Sequence, residues 1–389
     1  MSATKFERKK VFLMNLMGNK DTDTGKTLAS LVIIARAVNH IYSTGKNVML
    51  ITPSSGNKAG ALRDAVLKAI EVGLVKKDQL RIVTIIPHSS IEKTRSSKLF
   101  TDKELNRLNP VFVSDQGEAQ DVKNIASDFF KRNKDLYDKE RNTTLWYSLG
   151  IDNYKVADAM RACIEADFFC NELSSPDRYR YLHIHSVSSA YGLLGHNEGV
   201  KRFNKKKYLD IGYLLVQHLY TNDMVTSLLN HLGRDSKPQY KKSPDGIYVQ
   251  EGNPNFPTST SSLDQCIDTT FYSKKPPTCE EMNLLIEEKG GNGIVVSREE
   301  CIKWLHVTRK ILAPVEIEIP FEIDLIKEWS LIMAVTGALL SVERKIVTEF
   351  DVLVIHASGV YFQDKYTCLE LSEVKTANTA EELESFIGG

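Results

Sequence analysis

The chain lacks any run approaching the roughly 20 apolar residues that span a bilayer. It also lacks net charge, with 50 Lys and Arg against 50 Asp and Glu in 389 residues. That balance excludes attachment to nucleic acid or to anionic lipid through bulk charge. Cysteine is scarce: six residues (163, 170, 266, 279, 301 and 368) with no CxxC pair and no histidine at ligand spacing beside them. They read as free thiols in a reducing, cytoplasmic compartment, not as disulfides or a metal centre. No internal repeat is present. The charged N-terminus leads straight into residues 11–16, an apolar run too short for a signal-peptide core. What is there, 42% hydrophobic and 26% charged residues, excludes a disordered chain and describes a soluble protein with a substantial core.

Strand and helix patterns alternate. Residues 10–16 read as a short apolar strand, 17–26 as a polar turn rich in Gly, Asp and Thr, and 27–42 as a helix. Strand patterns at 48–51, 81–87, 111–114, 181–185, 294–296, 316–319 and 352–356 alternate with helical ones at 59–72, 118–130, 154–168, 191–203, 279–289, 298–310 and 323–341. Such alternation predicts βαβ units and an α/β fold with mostly parallel sheets and helices on both faces. Residues 234–262 are polar and rich in Pro and Ser, the composition of a functional loop or lid.

Two readings compete for the turn before residue 27. Gly25-Lys26-Thr27 is half of a phosphate-binding P-loop, with Asp115 as a possible Mg²⁺ carboxylate, but the first glycine of that motif is replaced by Lys20. Alternatively, Lys26 is an amine that forms a Schiff base with a cofactor aldehyde. This reading also uses Ser54-Ser55-Gly56-Asn57, a strand-to-helix turn whose hydroxyls, amide and helix-terminal N–H groups suit an anionic group.

At these positions the chain resembles the fold-type II pyridoxal-phosphate enzymes, the superfamily of threonine synthase, cysteine synthase and the tryptophan synthase β chain. Thr22-Asp-Thr-Gly-Lys26 is similar to the family's Thr-Gly-Ser-Phe-Lys turn, and Asn57 follows Lys26 at the family's interval, 57 − 26 = 31 residues. The resemblance implies that Lys26 carries the cofactor and acts as the base. It implies that Asn57 holds the ring oxygen and that Ser54, Ser55 and Gly56 bind the substrate carboxylate. The family's glycine-rich phosphate loop resembles residues 185–192, where His185, Val187 and Ser188 replace glycines. Ser186, Val187, Ser188, Ser189 and Ala190 are then the phosphate segment, with the Ser186 and Ser189 hydroxyls as donors. Ser358-Gly359 resembles the turn that faces the pyridine nitrogen with a hydroxyl.

The resemblance further implies a smaller lobe at 48–150, inserted in a larger cofactor-binding lobe of 1–47 and 151–389, with the cofactor in the crevice between them. Pyridoxal 5'-phosphate would be the cofactor of a homodimer, and a small amino acid its substrate, without a nucleic-acid or membrane partner. The chemistry implied is α-proton abstraction followed by β- or γ-elimination or replacement, as in threonine synthase. A P-loop nucleotide-binding protein and a degenerate, non-catalytic relative stay open as alternatives. No metal is expected, because His183 and His185 have no carboxylate at ligand spacing nearby. Lys58 reads as solvated, Lys20 as a rival amine out of register, and His356 as either a cofactor contact or a core histidine.

Overall fold

The computed structural model describes all residues except 1, 7–8, 20, 117–118, 149–150, 174, 204–209, 272, 361–365, 372–373 and 388–389. Lys20 therefore lies outside the described residues. The strands are β1 (Ser2–Phe6), β2 (Lys9–Asn15), β3 (Asn47–Pro53), β4 (Leu80–Pro87), β5 (Val111–Ser114), β6 (Thr143–Tyr147), β7 (Arg180–Ser186), β8 (Asp210–His218), β9 (Lys241–Lys242), β10 (Tyr248–Val249), β11 (Ser259–Thr260), β12 (Gly291–Val296), β13 (Val352–Ala357) and β14 (Lys375–Thr376). The helices are α1 (Lys26–Thr44), α2 (Asn57–Glu71), α3 (Lys98–Thr101), α4 (Lys103–Leu108), α5 (Ala119–Glu140), α6 (Ile151–Asp158), α7 (Met160–Glu172), α8 (Tyr191–Phe203), α9 (Asp223–His231), α10 (Cys279–Lys289), α11 (Arg298–Leu312), α12 (Ser330–Glu343) and α13 (Ala380–Ile387). None of the described helices is long and apolar enough to cross a membrane.

The chain divides into two units: Met1–Gly18 with Tyr154–Gln363, and Asn19–Asn153 with Asp364–Gly389. The larger unit holds a six-stranded sheet in the order β1-β2-β13-β7-β8-β12, parallel except for β1. Its strands alternate their side chains between two cores. Leu13, Ile184, Leu353 and Ile355 join one; Phe12, Met14, Tyr181 and Val354 join the other. Both faces are covered, so these strands read as near-continuous apolar runs. The most enclosed element is α12, in which every residue from Ser330 to Val342 is buried.

The smaller unit is built on a parallel five-stranded sheet, β14-β5-β4-β3-β6. Helices α1 and α2 share one core with it through Ile33, Leu50, Leu62 and Ile82. Helices α5 and α13 share the other through Met49, Val83, Phe129 and Leu383. This unit thus starts at Asn19 rather than at 48. The reason is physical: α1 buries its apolar stripe with α2, and β14 brings the C-terminal segment back to pair with β5.

Several elements depart from the periodic pattern. The helix expected at 154–168 is two, broken between α6 and α7. Residues 316–319 form no strand, because Glu316 turns the chain with a left-handed backbone at φ 56°. The helix expected from 323 begins at Ser330. Residues 234–262, whose composition reads as a loop or lid, contain β9, β10 and β11. Buried Gln250 gathers that segment by donating from Nε2 to the carbonyls of Asn253, Phe256 and Pro257 at 2.9, 3.2 and 3.0 Å. Strands β6 and β8 and helix α9 are elements that periodicity does not mark.

Ile332 is fully buried in α12. Its replacement by Ala removes three carbons from a close-packed site and leaves a cavity, at a cost of roughly 2–4 kcal/mol. The urea midpoint of Ile332→Ala should fall accordingly with an unchanged slope, and a wild-type midpoint would contradict the close packing of α12.

Candidate active site

In the smaller unit, Lys26 is the first residue of α1 and is exposed. The turn that presents it is held by its own polar groups. Thr22 and Asp23 donate their backbone N–H groups to the Asn19 carbonyl (3.1 and 2.7 Å), and the Thr22 and Thr27 hydroxyls lie 2.6 Å apart. Asp23, at φ 44°, forms an ion pair with Arg95. The second turn, Ser54–Asn57, opens α2. Ser54 Oγ accepts from the N–H of Gly56 (3.2 Å) and of Ala59 (3.0 Å), fixing the start of the helix. Gly56 has φ +132°, and a Cβ there would sit 3.1 Å from Lys93 Cβ, so only glycine fits. Ser55 is half-buried and its carbonyl accepts from Ser90 Oγ (3.0 Å); Asn57, half-buried, is the first residue of α2.

Lys58 corrects the sequence reading. Its Nζ is closed off from solvent and has no hydrogen-bond partner among the described residues. Burial, with the positive charges of Lys26 and Lys123 nearby, drives its pKa well below that of a solvated lysine. The smaller unit therefore carries two amines at adjacent helix starts, Lys26 exposed and Lys58 with its Nζ closed off and its pKa lowered by burial. Sequence offered no sign of the second, because burial of a lysine depends on what folds over it.

In the larger unit, β7 leads into the 186–190 segment and α8. Ser186 is buried and donates from Oγ to the Ser330 carbonyl (2.6 Å), so its proton is not available to a phosphate. Val187 turns its side chain into the apolar core and donates its N–H to Val216 O (2.9 Å). Ser188 and Ser189 are half-exposed, and the Ser189 carbonyl accepts from Thr278 Oγ1 (2.7 Å). Ala190 takes the left-handed conformation at φ 51° immediately before α8. The backbone N–H groups of Ser188, Ser189 and Ala190 have no partner among the described residues and stand at a helix N-terminus. Donors of that kind fit a phosphate.

The start of α12 ties this segment to the Ser358 turn. Ser330 Oγ lies 2.8 Å from Gly359 O, and Leu331 N–H donates to the same carbonyl at 3.2 Å. Ser358 is half-buried at the end of β13. Beside it lies a carboxylate that sequence reading did not single out. Glu328 is buried, 2.7 Å from Ser330 Oγ, and a Cβ on Gly359 would fall 2.0 Å from Glu328 Oε1. The larger unit thus brings Ser186, Glu328 and the carbonyl of Gly359, next to Ser358, to one helix start.

Behind these loops lies a buried polar network. His183 and His356, from β7 and β13, meet Arg161 and Glu165 from α7 and His196 from α8. Arg161 can only donate, so its Nη1 donates to His356 Nδ1 (3.0 Å). His356 then donates from Nε2 to His183 Nδ1 (3.0 Å), which leaves the His183 proton on Nε2, 3.2 Å from Glu165 Oε1. His196 Nε2 lies 2.7 Å from Glu165 Oε2. Glu165, His183 and His196 bring ligand-type atoms within 4.8 Å of one another, so the carboxylate that local spacing lacked arrives from α7. A metal would nevertheless need a bare His183 Nε2, and the displaced proton would move to His356 Nδ1, against the Arg161 donor. The tautomers set by Arg161 keep His183 Nε2 protonated, and it forms no hydrogen bond with Glu165 Oε1 at 3.2 Å. His356 is accordingly a core histidine, and Gly192 leaves the room for Arg161, whose Nη2 would be 2.6 Å from a Cβ there.

Burial pushes the Glu165 carboxyl up to about 7 and the His183 and His196 imidazoles down to about 3; His356 is also held well below its usual value. The imidazoles resist protonation only when folded, so their contribution is lost as pH falls below about 6.5. Glu165 opposes them, adding stability below about 4.5 that is lost as pH rises toward 7. Three imidazoles outweigh one carboxyl. The melting temperature should fall from pH 6.5 to 4.5, and more steeply in Glu165→Gln, which lacks the opposing group; a shallower fall in that variant would contradict these assignments. Lys58→Met, which removes an unpaired buried amine, should raise the urea-unfolding free energy at pH 7 by on the order of 1–3 kcal/mol; a loss would mean that the amine has a partner.

A sequence profile for a family of unknown function, DUF6002, matches residues 2–388. No curated protein matches the chain. Among solved structures, it is similar to the L-serine ammonia-lyase of Rhizomucor miehei at 12% identity, covering 97% of this chain and 93% of that one, with a TM-score of 0.54. It is similar to the PLP-bound threonine synthase of Brucella melitensis at 12% identity, covering 99% and 79%, with a TM-score of 0.55. The diaminopropionate ammonia lyase of Escherichia coli aligns at 12% identity over 92% and 80%, with a TM-score of 0.52. Shared architecture at this identity is a statement about fold: parallel α/β sheets with helices on both faces, as in fold-type II pyridoxal-phosphate enzymes. The chain belongs to the DUF6002 family and has the fold of that ammonia-lyase and that threonine synthase.

Proposed function

We propose that this protein is a pyridoxal-phosphate-dependent enzyme that removes the α-proton of a small amino acid, with elimination or replacement of its β- or γ-substituent. The observation that carries this reading is the Ser188–Ala190 cradle, three unpaired backbone donors at the head of α8 in a fold shared with enzymes whose names include PLP-bound threonine synthase. Pyridoxal phosphate, when bound, supplies an electron sink for a carbanion at the α-carbon.

The chain's own residues divide the work. Ser188, Ser189 and Ala190 would receive the phosphate through their N–H groups. Val187 serves by turning into the core, and Ser186 by holding the start of α12. Ser358 would offer its hydroxyl to the pyridine nitrogen. In the smaller unit, Lys26 would hold the cofactor through its amine and then take the substrate's α-proton. Asn57 would bond the ring oxygen, and Ser54, Ser55 and Gly56 the substrate carboxylate. Lys58 beside Lys26 has its pKa lowered by burial, so its amine gives up a proton more readily than a solvated lysine does.

Incubation with pyridoxal phosphate should give a visible absorbance band that borohydride abolishes, with the reduced cofactor mapped by mass spectrometry to Lys26. Lys26→Ala should lose the label and all turnover while keeping its far-UV circular dichroism, because Lys26 is exposed at a helix start. Labelling of Lys58 or Lys20 in place of Lys26 would overturn the assignment of the amine. Absence of the band, with binding of ATP and Mg²⁺, would replace the whole reading by the nucleotide one.

A further inference from the structure

The smaller unit contains a cavity of about 470 Å³ lined by none of the residues assigned above. One wall is a stripe of α2, in which Gly60, Arg63, Asp64, Leu67, Lys68 and Glu71 follow helical spacing and share a face. The other includes Ser96, Ser97 and the C-terminal segment at Tyr366 and Thr367. That wall is built, not incidental. Ser96 N–H donates to Thr367 O (2.9 Å), Tyr366 OH donates to Glu92 O (2.7 Å), and the Arg95 guanidinium lies 4.5 Å over the Tyr366 ring.

The charges on the walls are paired with one exception. Lys68 lies 2.8 Å from Asp64 and 3.2 Å from Asp21, Lys98 lies 3.2 Å from Glu71, and Arg95 pairs with Asp23. Arg63 has no acid. It is 2% exposed, donates from Nη1 to Asn109 O (2.7 Å), and leaves Nε and Nη2 without partners. Burial lowers its pKa to about 10, so the guanidinium stays charged at neutral pH. Ser97 Oγ, on the facing wall, is also buried without a partner.

A glycine completes the picture. Gly60 lies inside α2, where glycine weakens a helix, and no neighbour requires it, since nothing lies within 4 Å of where its Cβ would be. Its effect is to leave that wall of the cavity open.

We propose that this cavity binds a small oxyanion-bearing metabolite, whose carboxylate or phosphate group is received by the Arg63 guanidinium and the Ser97 hydroxyl. A guanidinium with two unmet donors matches the paired oxygens of either group. The site does not depend on the cofactor residues, and the test keeps the two apart.

The experiment is thermal unfolding of the full chain with saturating pyridoxal phosphate present throughout. Inorganic phosphate and malonate are titrated separately, at ionic strength held constant with chloride. At least one probe should raise the melting temperature saturably, and the more effective one distinguishes a phosphate ligand from a carboxylate. Gly60→Met, which puts a side chain into open space and so should fold, is expected to abolish the shift. Arg63→Gln should weaken the apparent affinity at least tenfold. No saturable shift with either probe, or an undiminished shift in Gly60→Met, would overturn the proposal. Should Arg63→Gln fail to fold, Gly60→Met decides alone.

Discussion

A charge shut away from water costs several kcal/mol unless something neutralises it, and the chemistry of this protein follows from how that cost is met at each site. Arg161 meets it with Asp158, whose Oδ1 lies 2.8 Å from both Nε and Nη2, and with the acceptor nitrogen of His356. Glu165 meets it through a carboxyl that holds its proton up to about 7. Lys58 can meet it by giving up a proton, which turns a cation into a base. Arg63 has neither route, since a guanidinium does not deprotonate at working pH and no carboxylate reaches it. The three buried groups without a full complement are therefore not equivalent: two can settle by titration, and the third only by gaining an anion.

The larger unit shows a second use of the same economy. Parallel strands end with their carbonyls pointing at the loops that follow, and in such sheets those loops carry the ligand groups. Here the loops after β7 and β13 are not left to find their own conformation. Ser186 Oγ, Ser330 Oγ and Leu331 N–H bind them to the head of α12, a helix buried along nearly its whole length. A buried core helix thereby ties Ser186, just before the 188–190 segment, to Gly359, just after Ser358. Ser186, read from sequence as a ligand donor, contributes more as part of that clamp.

What was legible in the sequence is what local rules govern. Alternating apolar runs gave the α/β class, and the Ser54–Asn57 turn announced a strand-to-helix start that Gly56 at φ +132° makes obligatory. Lys26 stands at the head of α1, one residue earlier than the helix pattern places the start. What was hidden depends on tertiary assembly. Glu165 reaches His183 from eighteen residues away because α7 packs over β7, so no spacing rule finds it. The burial of Lys58 and Arg63, and the return of β14 to β5, likewise have no local signature. Strand β8 carries Gly212 near the start of its apolar run, where the ring of Phe350 sits too close for a Cβ, and that glycine blurs the strand signal.

The segment after β7 shows how unpaired backbone donors can stand at a helix head without a run of glycines. Glycine serves a phosphate loop in two ways: it permits left-handed backbone, and it keeps side chains off the anion. Ala190 meets the first requirement at φ 51°, a conformation costing a non-glycine residue roughly 1–2 kcal/mol, which the surrounding packing of buried Ala190 must offset. Val187 meets the second by projecting into the core, where its burial is itself favourable. Ser188 and Ser189 are small, and their side chains leave the N–H groups unpaired. At Val187, which stands at a glycine position of the loop, the replacement is thus compensated by the direction in which the side chain points, something the identity of the residue alone does not reveal. Backbone donors thus stand unpaired at the head of α8 without a glycine pattern, in a chain 12% identical to structures that share its fold.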